Sequence, residues 1–187
     1  GPNALAVLAE VVFRDASSIA SLKLDSNGIF GELWESGNVK QADKFVEVNV
    51  FKIAAACVAE VQPFLDALKT SSLTSLSLRS TGMGVKGIIA ATDAIRAMAS
   101  LTSLCCGSNP IKDEGMAVLL DAVKDVALIE FDIAKTEIGP PTAKKLAEVL
   151  SDATPFTASV KVINLSGCPL PGATYQRGQW KNIDSDM

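Results

Sequence analysis

The stretch 101–123 constrains the fold more than any other part of the chain. Apolar side chains and one asparagine occupy its relative positions 1, 4, 6, 9 and 11, which are Leu101, Leu104, Cys106, Asn109 and Ile111. Small and apolar residues then follow at helical spacing, at Gly115, Leu119 and Val123. The pattern predicts a compact unit made of a short strand, a turn at the asparagine and a helix that runs back.

The same pattern can be laid down six times along the chain. Its first positions are Ile19, Phe45, Leu73, Leu101, Leu128 and Val160, so by subtraction the steps are 26, 28, 28, 27 and 32 residues. Such a unit cannot cover its own apolar face, and a neighbouring unit must cover it. We therefore expect six parallel strands, one from each unit, in a single sheet with helices on its other side.

A segment between turn and helix links the chain to a known family. In the central unit it reads Ile111-Lys112-Asp113-Glu114-Gly115. The chain resembles leucine-rich repeat proteins of the ribonuclease-inhibitor class, whose repeats carry a similar sequence between the turn and the helix. The resemblance covers residues 3–171 and implies an α/β solenoid, a horseshoe with a parallel concave sheet and convex helices. About six repeats would follow an N-terminal helix, and the polar tail 172–187 is expected to be partly mobile.

Helices are predicted after most of the strands. Their approximate ranges are 55–69, 85–98, 113–126 and 140–151, the last beginning at a pair of prolines. The stretch around Pro155 is predicted to be a loop.

Position nine of each unit is predicted to hold a polar side chain that pairs with backbone groups of the turn. The residues there are Asn27, Thr81, Asn109, Thr136 and Cys168, whereas the second unit has Ile53. Because isoleucine cannot form a hydrogen bond through its side chain, we expect the hydrogen bonding between neighbouring turns to be weakest at the second unit.

Composition excludes several classes of function. The chain has no histidine, which removes Ser-His-Asp, Cys-His and His-metal chemistry. A net charge of −4 and an aromatic content of 5% argue against nucleic-acid binding. The four cysteines have no metal-ligand spacing, and we expect no cofactor and no metal. No long apolar run indicates a membrane segment, and reduced thiols favour a cytoplasmic location.

The resemblance implies that the protein is not an enzyme but a scaffold that binds a protein partner on the concave sheet surface. Outward strand positions would line that surface, and the candidate partner-binding residues are Lys23, Asn49, Phe51, Arg79, Cys105, Glu130 and Asp132. An exposed aromatic side chain beside an arginine is typical of an interface anchor. The alternative is a plain solvated sheet, and a register shift by one residue would bury Phe51.

Two other functions remain open at this stage. Activators of the Ran GTPase share this repeat class, although none of their functional loop residues can be placed on this chain. A structural unit that self-associates through open repeat ends is the other alternative, because exposed strand edges favour pairing with further chains.

Overall fold

The computed structural model describes residues 19–30 and 61–170, together with the backbone of residues 173–176 and 179–182. In these ranges, five strands form one sheet and two more form a separate hairpin. The strands of the sheet are β1 Ser21–Lys23, β2 Ser75–Ser77, β3 Ser103–Cys105, β4 Glu130–Asp132 and β5 Val162–Asn164. Each spans positions 3 to 5 of a predicted unit, so these strands lie within the segments that the repeat pattern predicts.

The helices of the described ranges follow the strands along the chain. They are α1, residues 61–69, then α2 Val85–Ala97, α3 Lys112–Val123, α4 Pro140–Ser151 and α5 Pro155–Ser159. Neighbouring helices α2, α3 and α4 pack side by side. None of the helices in the described part of the chain is long and apolar enough to cross a membrane.

The sheet is parallel throughout, and its strand order follows the chain from β1 to β5. The middle residues of the strands lie in register: Leu22, Leu76, Leu104, Phe131 and Ile163. Because successive strand side chains point to opposite faces, these residues face the core while their neighbours face outward. The expectation of an α/β fold with a parallel sheet is confirmed.

The repeat pattern predicts that the strand of the second unit, residues 45–50, lies between the strands of the first and third units. This predicted strand order is wrong, because β1 pairs directly with β2, with Ser21 opposite Ser75 and Lys23 opposite Ser77. Residues 45–50 themselves belong to the range 31–60, which lies outside the described residues. The second unit has Ile53 at position nine and so lacks the polar group that closes the other turns.

Backbone hydrogen bonds between neighbouring units extend beyond the short strands. The N–H of position six donates to the carbonyl of position five in the next unit, as from Leu78 to Cys105 at 2.8 Å. The N–H of position eight donates to the carbonyl of position seven in the next unit, as from Ser108 to Ala134 at 2.7 Å. The repeated pairing satisfies backbone groups that burial would otherwise leave unpaired.

The turns after the strands repeat one geometry. Each position-eight residue has a left-handed φ of +54° to +73°, at Ser26, Ser80, Ser108, Lys135 and Gly167. At position nine, Thr81 donates to the Leu78 carbonyl at 2.8 Å and Asn109 to the Cys106 carbonyl at 2.9 Å. The polar role predicted for position nine is confirmed for these units, since Asn27, Thr136 and Cys168 also contact strand-end carbonyls.

The core lies between the sheet and the helices. Leu76, Leu104 and Phe131 from the strands are each 1% exposed or less. The Phe131 ring meets the Phe156 ring edge to face, with centroids 5.9 Å apart. Close helix packing requires Gly115, because a Cβ there would lie 2.7 Å from Cγ2 of Ile88.

Asp113 links two neighbouring units at their helix N-termini. It lies in the first turn of α3, yet its carboxylate accepts hydrogen bonds from the N–H groups of Gly139 at 2.9 Å and Thr142 at 3.1 Å, and from the Thr142 hydroxyl. These donors begin α4, whose N-cap residue Gly139 supplies no side chain of its own. The carboxylate therefore caps the neighbouring helix and interacts favourably with its dipole.

The prediction of a loop around Pro155 is wrong, because a short helix, α5, forms there. Thr154 and Thr157 form a reciprocal capping box in which each side chain accepts from the other residue's backbone N–H. Pro155 occupies the first helical position, where its missing N–H costs nothing. Burial of Phe156 against the core fixes the helix in place.

A hairpin follows the sheet within the polar tail. Its strands are β6 Ala173–Gln176 and β7 Gln179–Asn182, paired antiparallel with Tyr175 opposite Trp180. The polar composition of residues 172–187 gave no indication of this hairpin.

Candidate interaction surface on the sheet

The sheet register arranges outward side chains in columns across the strands. The position-five column consists of Lys23, Ser77, Cys105, Asp132 and Asn164. The position-three column consists of Ser21, Ser75, Ser103, Glu130 and Val162. Together with the position-seven residues at the strand ends, these columns define what we call the sheet surface.

The structure brings five of the seven predicted binding residues onto the sheet surface: Lys23, Arg79, Cys105, Glu130 and Asp132. Asn49 and Phe51 lie outside the described residues. On the β1 side, the described neighbour of Arg79 is Asp25. The Arg79 N–H donates to the Asp25 carboxylate at 3.2 Å.

Arg79 and Asp132 form an ion pair that crosses one whole strand. Nη1 of Arg79, at the end of β2, lies 3.1 Å from Oδ2 of Asp132 in β4. Gly107, after the intervening β3, makes room for it, since a Cβ there would lie 3.1 Å from the same Nη1 atom and 3.2 Å from Oδ1 of Asp132. Both side chains are partly shielded, with 36% and 27% of their areas exposed.

A second acidic residue orders the other side of Arg79. The Asp25 carboxylate accepts a short hydrogen bond from the Ser77 hydroxyl and a longer one from the Arg79 backbone. Asp132 also accepts from the Ala134 N–H at 2.9 Å, which fixes its side chain in a local turn. Arg79 therefore lies between the carboxylates of Asp25 and Asp132, and hydrogen bonds fix the positions of both. We call these three residues the polar row.

Lys23 and Glu130 are the more accessible charges of the predicted set. Both are exposed, and Lys23 lies at the β1 edge of the sheet. Oε2 of Glu130 accepts a hydrogen bond from the Ser103 hydroxyl at 3.3 Å. Neither side chain takes part in an ion pair within the described part of the molecule.

The adjacent cysteines divide between the two faces of the sheet, as strand alternation predicts. Cys106 is fully buried, and this burial, with smaller contributions from Cys105 and Asp132, raises the pKa of its thiol. Cys105 is half-buried on the sheet surface. No group of three or more Cys, Asp or Glu side chains among the described residues could hold a metal ion.

Two exposed apolar residues were not among the predicted binding residues, although the repeat pattern places both at outward positions of their units. Ile129 is 38% exposed and Val162 is 54% exposed. Val162 belongs to the position-three column, and Ile129 immediately precedes Glu130 of the same column.

Comparison of the chain with models of known protein families and with curated protein sequences finds no match.

Proposed function

We propose that the chain is a leucine-rich repeat solenoid of the ribonuclease-inhibitor class and a non-catalytic scaffold that binds a protein partner on the sheet surface. The main support is the repetition of one strand-and-turn geometry across neighbouring units in register. A stack of this kind presents a continuous, rigid outward surface, which suits recognition without large rearrangement.

The polar row formed by Asp25, Arg79 and Asp132 supports the same proposal. Its charges are held by hydrogen bonds before any partner arrives, so little side-chain freedom is lost on binding. The neighbouring residues Ser103, Cys105 and Gly107 are small and leave room for side chains of a partner.

Site-specific photocrosslinking in the source cell tests this proposal. A photoreactive amino acid is placed at Ser75, on the sheet surface, and in a matched variant at Asp93, exposed on helix α2. We expect a defined adduct from the Ser75 variant, which the double variant Arg79→Glu, Asp132→Lys reduces. Adducts of equal yield from the Asp93 position, or none from Ser75, would contradict the proposal.

Self-association through the repeat ends is a second candidate function. Apolar residues of the first and last units are only partly buried, among them Leu22, Leu24, Ile163 and Leu165, whereas Leu76 and Leu104 of the inner units are 1% exposed. Light scattering over a range of concentrations tests it. A constant monomer mass would exclude this role, and a mass that rises with concentration and falls in a Leu165→Glu variant would support it.

We further propose a cytoplasmic location. The described cysteines Cys105, Cys106 and Cys168 are free thiols, which suits a reducing compartment. Fluorescence microscopy of the tagged full-length protein tests this location.

A further inference from the structure

Two exposed aliphatic residues lie in neighbouring units of the sheet, at and beside the position-three column. The large apolar residues with high exposure in the described ranges are Ile89, Ile129, Leu150 and Val162. Ile89 and Leu150 belong to helices α2 and α4 and stand apart from each other. Ile129 and Val162 come from neighbouring units, and the Val162 N–H donates to the Ile129 carbonyl at 3.1 Å.

Glu130 lies between these two aliphatic residues. It follows Ile129 in the chain and stands opposite Val162 in the register of β4 and β5. Among the described residues, its carboxylate accepts one hydrogen bond, from Ser103, and forms no ion pair, whereas the nearby Asp132 is neutralised by Arg79. Lys161, which precedes Val162 in the chain, forms no ion pair with the Glu130 carboxylate.

The neighbouring strand leaves this group accessible. On the β3 side, Glu130 and Asp132 stand opposite Ser103 and Cys105, whose side chains are short. Small neighbours allow a partner's side chain to approach the carboxylate from above the sheet.

We infer that Ile129, Glu130 and Val162 form an anchor point for a partner segment in which an aliphatic residue adjoins a lysine or arginine. Burial of the aliphatic pair supplies the apolar contact, and the unpaired carboxylate selects a basic neighbour by charge complementarity. The inference rests on the proposed scaffold function and specifies the chemistry of the partner.

NMR titration of the ¹⁵N-labelled full chain tests the anchor. The probes are three short peptides with Leu-Arg-Leu, Leu-Glu-Leu or Ser-Arg-Ser cores flanked by glycine and serine. We expect the Leu-Arg-Leu peptide to shift the amides of Ile129, Glu130 and Val162 and to bind about tenfold more tightly than either other peptide. Glu130→Lys should reverse the preference between the first two peptides, and Val162→Ser should weaken the first by about tenfold.

Matched variants on the helices serve as controls. Ile89→Ser removes an aliphatic residue of similar exposure, and Glu148→Lys reverses an exposed carboxylate on α4. Both should leave the three affinities unchanged. Equal effects of these controls, stronger binding of the Leu-Glu-Leu peptide, or no shift with any peptide would overturn the anchor.

Failure of the anchor is distinguishable from failure of the scaffold proposal. A sheet-specific adduct through Ser75 together with no preference among the peptides leaves the sheet as the binding surface and rejects only the anchor. Loss of the adduct rejects the scaffold proposal whatever the peptides do.

Discussion

Arg79 and Asp132 belong to units that are not neighbours, yet their side chains meet 3.1 Å apart above the glycine of the unit between them. The pair therefore ties three successive units together on the outward side of the sheet. It also fixes the positions of two charged side chains on that side of the sheet.

We expect a double-mutant cycle with Arg79→Gln and Asp132→Asn to give a coupling free energy of about 0.5–1 kcal/mol, since the pair is partly exposed and exposed pairs are worth little. Urea unfolding of the wild type, both single variants and the double variant measures it. The Arg79→Glu, Asp132→Lys exchange keeps opposite charges at the two positions and should recover most of that coupling. A coupling free energy near zero would mean that the two groups act independently.

Gly107→Ala should lower the free energy of unfolding by about 1 kcal/mol, because overpacking is costly where neighbours cannot move. The new methyl group would lie 3.2 Å from the Ala134 carbonyl oxygen and would crowd the Arg79 guanidinium. Gly28→Ala is the matched control, since no atom lies within 4 Å of a Cβ placed there. Equal unfolding midpoints for the two variants would argue against the crowding at Gly107.

Asn109→Leu should destabilise the domain by about 3–4 kcal/mol. The buried amide donates to the carbonyls of Leu78, Cys106 and Gly107, and its oxygen accepts from the N–H groups of Thr81 and Met83. The Leu78 and Gly107 carbonyls also accept from the Thr81 hydroxyl and the Ser80 N–H, but leucine would leave the Thr81 and Met83 N–H groups and the Cys106 carbonyl without the Asn109 amide. Each buried group that loses its partner costs about 1–3 kcal/mol before relaxation.

Asn27→Leu provides the comparison for Asn109. Asn27 is exposed and donates to only two carbonyls, at 3.2 and 3.3 Å, so water can replace its bonds. Chemical denaturation should show a much smaller loss for this variant, and similar losses for both variants would contradict the assignment of Asn109 as the main turn-closing residue.

Much of the described fold could be predicted from sequence because residues that are close in the chain determine the geometry of each unit. Leu101, Leu104 and Cys106 mark an inward-facing pattern that only a parallel stack satisfies, and the turn residue Asn109 marks the strand end. Cys105 and Cys106 separated onto opposite faces as alternation requires. Such signals need no knowledge of distant residues.

The remaining features depend on contacts between units, which a local pattern does not encode. The pairing of β1 with β2 passes over a segment whose apolar spacing looks like a strand. Asp113 reads as a first-turn residue of its own helix, but its partners lie at the start of the next one. The exposure of Ile129 and Val162, at 38% and 54%, depends on how much of each side chain the neighbouring units cover.

The charge cluster on helices α3 and α4 predicts a dependence of stability on pH. A hydrogen bond from Lys145, at 2.9 Å, is the main cause that lowers the pKa of the Asp121 carboxyl; burial opposes it, and a hydrogen bond from Lys124 adds to the lowering. A carboxyl with a lowered pKa in the folded state stabilises the fold at pH values above its unfolded pKa of about 3.9 and loses that contribution as the pH falls through the folded pKa.

Asp121→Asn should therefore reduce stability at neutral pH and have no effect once the carboxyl is protonated. Urea unfolding at pH 7 and in strong acid checks this difference. The same bond raises the pKa of Lys145, so its contribution is lost only as the pH rises through that raised value. When Lys145 is already replaced by Met, Asp121→Asn should cause a smaller loss in the free energy of unfolding at pH 7. An unchanged loss would mean that groups other than Lys145 stabilise the Asp121 carboxylate.

Ser108→Gly should stabilise the domain, by about 0.5–1 kcal/mol. Ser108 has a φ of +54°, a conformation that strains residues with a Cβ atom by about 1–2 kcal/mol, and its side chain is only partly buried. Glycine relieves that strain but enlarges the unfolded ensemble, which offsets part of the gain. Ser108→Val should have the opposite effect, because a β-branched residue tolerates a left-handed backbone poorly. Thermal unfolding of both variants tests this prediction. A valine variant more stable than the glycine variant would show that the turn does not impose this backbone conformation.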